Sequence, residues 1–159
     1  MGIFGRLFGT NKGFTLIELI VATAILGILA ELVATVINNQ MPRYRLNSAT
    51  RQLTWDLMSA RMKAVSDFNN LKVIFPSDHE YTIWVDGNGD NIVGNDETVI
   101  ISKDIHPSYP DVSFIDPLPL PFIFTVRGTS SMTQQVTLNN ATESRRIRVS
   151  VAGKISVVD

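Results

Sequence analysis

The 159-residue chain has no cysteine and only two histidines, His79 and His106. Without thiols there is no disulfide scaffold, no thiolate nucleophile and no cysteine-ligated metal. Two histidines make a histidine-built metal cage or a histidine-driven hydrolase a poor expectation. Charged residues are few, at 18%, and aromatics fewer, at 8%. The hydrophobic fraction of 45% is ordinary for a globular protein and too high for a disordered one. The length fits one domain, or one domain with a tail.

A net charge of −1 conceals strong segregation along the chain. Residues 38–77 sum to +4, residues 78–116 to −8 and residues 117–159 to +3. Surfaces of opposite sign bear on subunit packing and on contact with polyanions.

The N-terminus carries the strongest pattern. Residues 14–37 read FTLIELIVATAILGILAELVATVI, with Glu18 and Glu31 as the two charges. As a helix this run is about 36 Å long, enough for a hydrocarbon core of about 30 Å. Arg6 and Lys12 precede it without a balancing acid, which favours a cytoplasmic N-terminus and an exported C-terminal part. A secretory signal peptide cut near Ala22-Thr23-Ala24 is the plainer alternative. The apolar run continues well past that point, however, and Glu18 lies inside what would be its hydrophobic region.

Glu18 needs a partner. A lone carboxylate in hydrocarbon costs roughly 2.5–3.5 kcal/mol, so it protonates or finds a cation. No lysine or arginine lies between Phe14 and Pro42. Proteolysis after Gly13 would create a cation, the α-ammonium of Phe14, one helical turn before Glu18. The same group on a neighbouring copy would serve equally.

Lys12-Gly13-Phe14-Thr15-Leu16-Ile17-Glu18 resembles the processing site of type IV pilins and type II secretion pseudopilins, and the likeness runs through Leu29. The resemblance implies cleavage after Gly13 by a membrane prepilin peptidase, which also N-methylates Phe14. It assigns Glu18 to assembly. Thr35 stands where many major pilins carry a proline, and Pro42 follows.

Beyond Pro42 the residues Leu46, Ala49, Leu53, Leu57, Ala60, Ala64 and Phe68 recur at helical spacing as one apolar stripe. This predicts an amphipathic continuation of the helix over 38–70, with Pro42 as a kink or short break. After Asn70 the period changes to two. Strands are predicted at Lys72–Phe75, Tyr81–Asp86, Thr98–Lys103, Phe122–Arg127, Gln135–Leu138, Arg145–Val151 and Lys154–Val158. Ala152-Gly153 marks the last turn. The proline-rich stretch 107–121 reads as an irregular surface segment. The fold class is therefore α+β, a long N-terminal helix packed on antiparallel sheets formed by residues 71–159. Ser59 to Val65, Ile83 to Asp86, Phe124 to Gly128 and Arg145 to Lys154 are similar, in this order, to the GspH/FimT group of minor pseudopilins and minor pilins.

Three further features invite function. Asp86, Asn88, Asp90, the carbonyl of Ile92 and Glu97 have the oxygen-ligand spacing of a Ca²⁺ loop. Strands rather than helices are expected around it, and a plain Gly/Asn/Asp-rich turn explains the same residues. Arg127, Arg145, Arg146, Arg148 and Lys154 form a basic set. It reads as the solvated face of a hairpin, with Arg146 and Arg148 on one side and Ile147, Val149 and Val151 on the other. The rival is phosphate contact with DNA, which the resemblance allows because some FimT-type minor pilins bind DNA during uptake. Their Gly-Arg-x-Arg motif is replaced here by Gly153-Lys154-Ile155-Ser156. Finally, His79 sits between Asp78 and Glu80, but no nucleophile motif accompanies it. A solvated surface histidine is expected, and catalysis is not.

The sequence thus predicts a non-enzymatic fibre subunit. Residues 1–13 are the leader and residues 14–37 a transmembrane and assembly helix. The globular part lies outside the cytoplasm, anchored to a bacterial inner membrane until it joins a fibre. Its partners are other pilin or pseudopilin subunits, the peptidase and the membrane, with DNA as the alternative. No cofactor is expected apart from Ca²⁺ in the 86–97 loop. A protein that simply keeps its leader as a membrane anchor is the third class.

Overall fold

A computed structural model of the chain describes residues 13–85, 97–115 and 121–158, except for the side chains of Val33, Ala34, Thr35 and Asn38. It divides into two units, Met1–Asn39 and Gln40–Asp159. One helix, α1, spans Leu16–Ser66 and runs through both.

In the first unit α1 is started by a capping box. Thr15 N–H and its hydroxyl each donate to Glu18 Oε2 at 2.9 Å, and Glu18 N–H donates back to Thr15 Oγ1 at 3.3 Å. Two orphan donors of the first turn are met locally, and a negative charge sits at the positive end of the helix. The helix passes through Pro42 without the expected break. Proline removes one ladder hydrogen bond there. Asn140 Nδ2 donates to the Pro42 carbonyl at 2.8 Å and ties this point to the globular part.

In the second unit the rest of α1 lies against two sheets. The strands are β1 Leu71–Ile74, β2 Glu80–Val85, β3 Thr98–Asp104, β4 Ser113–Ile115, β5 Phe122–Phe124, β6 Gln134–Asn139, β7 Ser144–Val149 and β8 Ile155–Val158. All pairings are antiparallel, in the orders β3-β2-β1-β5 and β4-β6-β7-β8. The predicted stripe Leu46, Ala49, Leu53, Leu57, Ala60 and Ala64 is buried. It shares one core with Val73, Tyr81, Ile83, Phe122 and Phe124 of the first sheet and with Phe114, Val136, Leu138, Ile147 and Val149 of the second.

Five expectations are corrected. Phe68 does not extend the stripe. The helix ends at Ser66, and Phe68 is 81% exposed with φ of 55°, a left-handed step that ends the helix. The 107–121 stretch is not wholly irregular, because β4 lies within it and pairs with β6, burying Phe114. The strand expected over 122–127 stops at Phe124, and the one expected over 145–151 stops at Val149, leaving Val151 exposed in a turn. Pro42, as noted, does not interrupt α1.

The two shortened strands end in turns of the same form. Gly128 N–H donates to the Thr125 carbonyl at 2.8 Å and Thr125 N–H to the Thr129 carbonyl at 2.9 Å. Likewise Gly153 N–H donates to Ser150 O at 2.8 Å and Ser150 N–H to Lys154 O at 2.9 Å. Gly128 and Gly153 have φ of 73° and 75°. Both are three-residue turns closed by a left-handed glycine. They dock on each other so closely that a Cβ on Gly153 would overlap the Gly128 carbonyl oxygen. Arg61 of α1 fastens the pair, its Nε donating to that same oxygen at 2.7 Å.

A second polar lock joins α1 to the first sheet. Asp56, largely buried, accepts a short hydrogen bond from Tyr81 OH and pairs with Lys103 Nζ at 2.7 Å. Burial first, and then the carboxylate beside it, push the Tyr81 phenol well above its ordinary range. It stays a neutral donor, and the Asp56 charge is held by a donor and a cation.

Candidate functional site

The residues expected to be processed lie where α1 begins. Gly13, Phe14 and Thr15 precede the helix and are exposed, Phe14 at 93%. A Cβ on Gly13 would meet nothing. Glu18 is held one turn further on by Thr15, through the capping box that the Thr15-x-x-Glu18 spacing announces and the sequence reading passed over.

From Phe14 to Leu32 every described apolar side chain is at least half-exposed or close to it, on all sides of the helix. A helix apolar all round is stable only inside lipid or among other chains. Among the described residues no helix is long and apolar enough to cross a membrane. The span 14–37 read from the sequence passes through Val33, Ala34 and Thr35, whose side chains lie outside them.

A second exposed apolar stripe lies on α1 within the globular unit. Trp55, Met58, Met62 and Val65 follow a 3-4-3 spacing and are exposed by 69%, 38%, 69% and 43%. That spacing makes a continuous seam on a helix. It was visible in the sequence, but the buried stripe 46–64 claimed the helical period first. Met58, Met62 and Val65 also form the apolar wall of an open cleft of about 670 Å³, whose other lining includes Arg61, Arg127, Gly128, Lys154 and Ile155.

The structure divides the expected basic set. Arg127 and Lys154 meet at this cleft, with Arg61 added. Arg146 and Arg148 project from the exposed face of β7, opposite buried Ile147 and Val149. Arg145 points to the other side and serves packing: it contacts Glu143 and Asn47 at 3.3 Å each, while Arg43 holds the other Glu143 oxygen at 3.1 Å. Of the expected Ca²⁺ loop, Asp86, Asn88, Asp90 and Ile92 lie outside the described residues, and Glu97 is half-buried just before β3. His79 is bonded through Nδ1 to Asp78 at 2.7 Å. That bond, together with the charges of Asp104 and Glu80, holds its pKa above the ordinary value.

Comparison with solved structures places this arrangement. The minor pilin FimU of Pseudomonas aeruginosa matches in two crystal forms. In one the TM-score is 0.58 at 19% identity, covering 74% of this chain and 90% of FimU. In the other it is 0.55 at 19%, covering 72% and 93%. The minor pseudopilin EpsH of the type 2 secretion system of Vibrio cholerae matches with a TM-score of 0.53 at 10% identity, covering 72% and 96%. These share the fold of a long helix on two antiparallel sheets. No curated protein is close enough in sequence to match. The prokaryotic N-terminal methylation motif matches residues 9–30, around Gly13, Phe14 and Glu18. Pilins and pseudopilins are structural fibre subunits, not enzymes. The profile of type II transport protein GspH spans residues 49–153, from the buried stripe of α1 to the docked glycine turns, and the chain belongs to that family of minor pilins and pseudopilins.

Proposed function

We propose that the chain is a minor subunit that helps to initiate or cap a secretion fibre. A membrane prepilin peptidase removes residues 1–13 and methylates the new terminus at Phe14. Until assembly the protein is held in the bacterial inner membrane by residues 14–37, with its globular part outside the cytoplasm. The observation that carries this reading is the carboxylate of Glu18. It is fixed beside the Thr15 amide, one residue from where cleavage creates an ammonium, on a helix whose apolar surface has no cover among the described residues. Burial of that surface against other subunits drives assembly. Pairing with an ammonium, on the same chain or a neighbour, removes the cost of carrying the acid into oil.

A second reading is a subunit that retains DNA at a pilus tip during natural transformation. The exposed Arg146 and Arg148 on β7, with Arg127 and Lys154 at the cleft, favour it. One experiment separates the two. In the secretion reading, Arg146→Ala/Arg148→Ala leaves fibre formation and protein export unchanged, and the wild-type chain shows no salt-dependent retention of duplex DNA. In the DNA reading the same double variant assembles normally but weakens DNA binding uniformly across sequences and lowers the log–log salt slope by about 2.

A further inference from the structure

The two histidines, 27 positions apart, are brought together by the β2–β3 hairpin. Their ring centres are 5.6 Å apart at 54°. Glu80 and Asp104, at the open end of that hairpin, face each other directly in the register. Like charges opposite each other weaken a strand pair, and neither acid is in an ion pair with a lysine or arginine among the described residues. Lys103, the basic residue next to them in sequence, is turned to Asp56 instead. His79, Glu80 and Asp104 each offer a ligand atom, all within 4.8 Å of one another.

We propose that this end of the hairpin binds a borderline divalent metal ion, zinc being the best fit, through His79, Glu80 and Asp104, whose ligand atoms already lie together, with His106 joining as the fourth ligand when its ring turns toward them. The ligand chemistry is mixed nitrogen and oxygen, without thiolate, and suits zinc rather than calcium. Two imidazoles bound to one zinc at about 2.1 Å carry their ring centres roughly 5–6 Å apart, and the two rings already sit at that separation. The supporting contacts are in place. Asp78 Oδ1 holds His79 Nδ1 at 2.7 Å, leaving Nε2 for the metal, the arrangement in which a carboxylate orients a ligating histidine. His106 N–H donates to Asp104 Oδ1 at 2.8 Å, which steers the second carboxylate. The backbone below is pinned on both sides, with Ile105 N–H donating to the His79 carbonyl at 2.9 Å and Phe114 N–H to that of Asp78 at 2.6 Å. A cation here would neutralise the facing acids and tie the β2–β3 hairpin to the segment leading into β4.

The test is calorimetric titration of the full-length chain in detergent with zinc chloride, and separately with calcium chloride. One zinc per chain is expected, with affinity at least tenfold weaker in His79→Gln and in His106→Gln, weaker also in Asp78→Asn, and unchanged in Asp111→Asn, whose carboxylate pairs with Arg45 elsewhere. Zinc-edge X-ray absorption should show nitrogen and oxygen ligation only. Calcium should not displace the zinc. Absence of zinc binding at sub-millimolar metal overturns the proposal, as does zinc affinity unaltered by both histidine substitutions.

Discussion

Replacing Glu18 by glutamine is expected to exclude the chain from the fibre almost as completely as replacing it by leucine, lowering incorporation tenfold or more in each case. The pair of variants separates two roles that the geometry assigns to one side chain. As the last member of a capping box, Glu18 accepts from Thr15 N–H and hydroxyl at 2.9 Å. A glutamine amide oxygen at the same position serves that role nearly as well, because the capping box uses Glu or Gln. A leucine cannot, and it loses that half of the capping box. As the partner of an ammonium, glutamine fails and leucine fails, since neither is charged. The electrostatic account therefore predicts two equal defects. A purely structural role predicts that glutamine restores incorporation and leucine alone is impaired. Immunodetection of the chain in sheared, purified fibres, normalised to the membrane pool, reads the difference. Reversal in the glutamine variant would assign Glu18 to the helix start alone.

Gly153→Ala is expected to lower stability by roughly 3–5 kcal/mol, at the upper end of single substitutions, and to lower the midpoint of thermal unfolding by about 10 °C or more. Two causes act together. The residue has φ of 75°, where a side chain costs about 1–2 kcal/mol. Its Cβ would also overlap the carbonyl oxygen of Gly128 and lie 2.8 Å from Arg61 Nε. Backbone cannot step aside there without loosening the docked turns and the hydrogen bond from Arg61 to the Gly128 carbonyl. Asparagine tells the causes apart, because it tolerates the left-handed conformation but still carries a Cβ. Gly153→Asn should be nearly as harmful as alanine. Gly128→Asn should be milder, since its nearest neighbours are the ends of movable side chains, Val65 Cγ2 at 3.1 Å and Arg61 Nε at 3.4 Å. Equal, small effects at both glycines would contradict the docking. Circular dichroism melts of the purified full-length variants in detergent provide the measurement.

What the sequence disclosed and what it hid follow from the range of the forces involved. The helix, its buried stripe and the hairpins β1–β2, β6–β7 and β7–β8 are local patterns, legible from spacing and turn residues within a dozen positions. The exchange of β4 and β5 between sheets is not local. Ser113–Ile115 pairs with Thr137–Asn139, and Phe122–Phe124 with Leu71–Val73, so strands of three residues acquire partners from distant sequence. Nothing in three residues encodes that. Of the kink or short break expected at Pro42, whose local cost is real, the break is absent: α1 continues through it. At the candidate sites, Glu18 stands out in the sequence because charge in an apolar run has few explanations, and its contact with Thr15 is one turn of local sequence. Arg145 was grouped with the exposed arginines because Glu143 and Asn47 come to it only in the fold. The meeting of His79 and His106 depends on the β2–β3 register and was invisible as two isolated letters.

The central claim is that trimming the precursor gives Glu18 its positive partner. Intact-mass and N-terminal analysis of the membrane-extracted protein tests it most directly. The account predicts a chain that begins at Phe14 and carries one methyl group on its terminal nitrogen. A mature chain beginning at Met1, or one cut at Thr23 or Ile25, would contradict it.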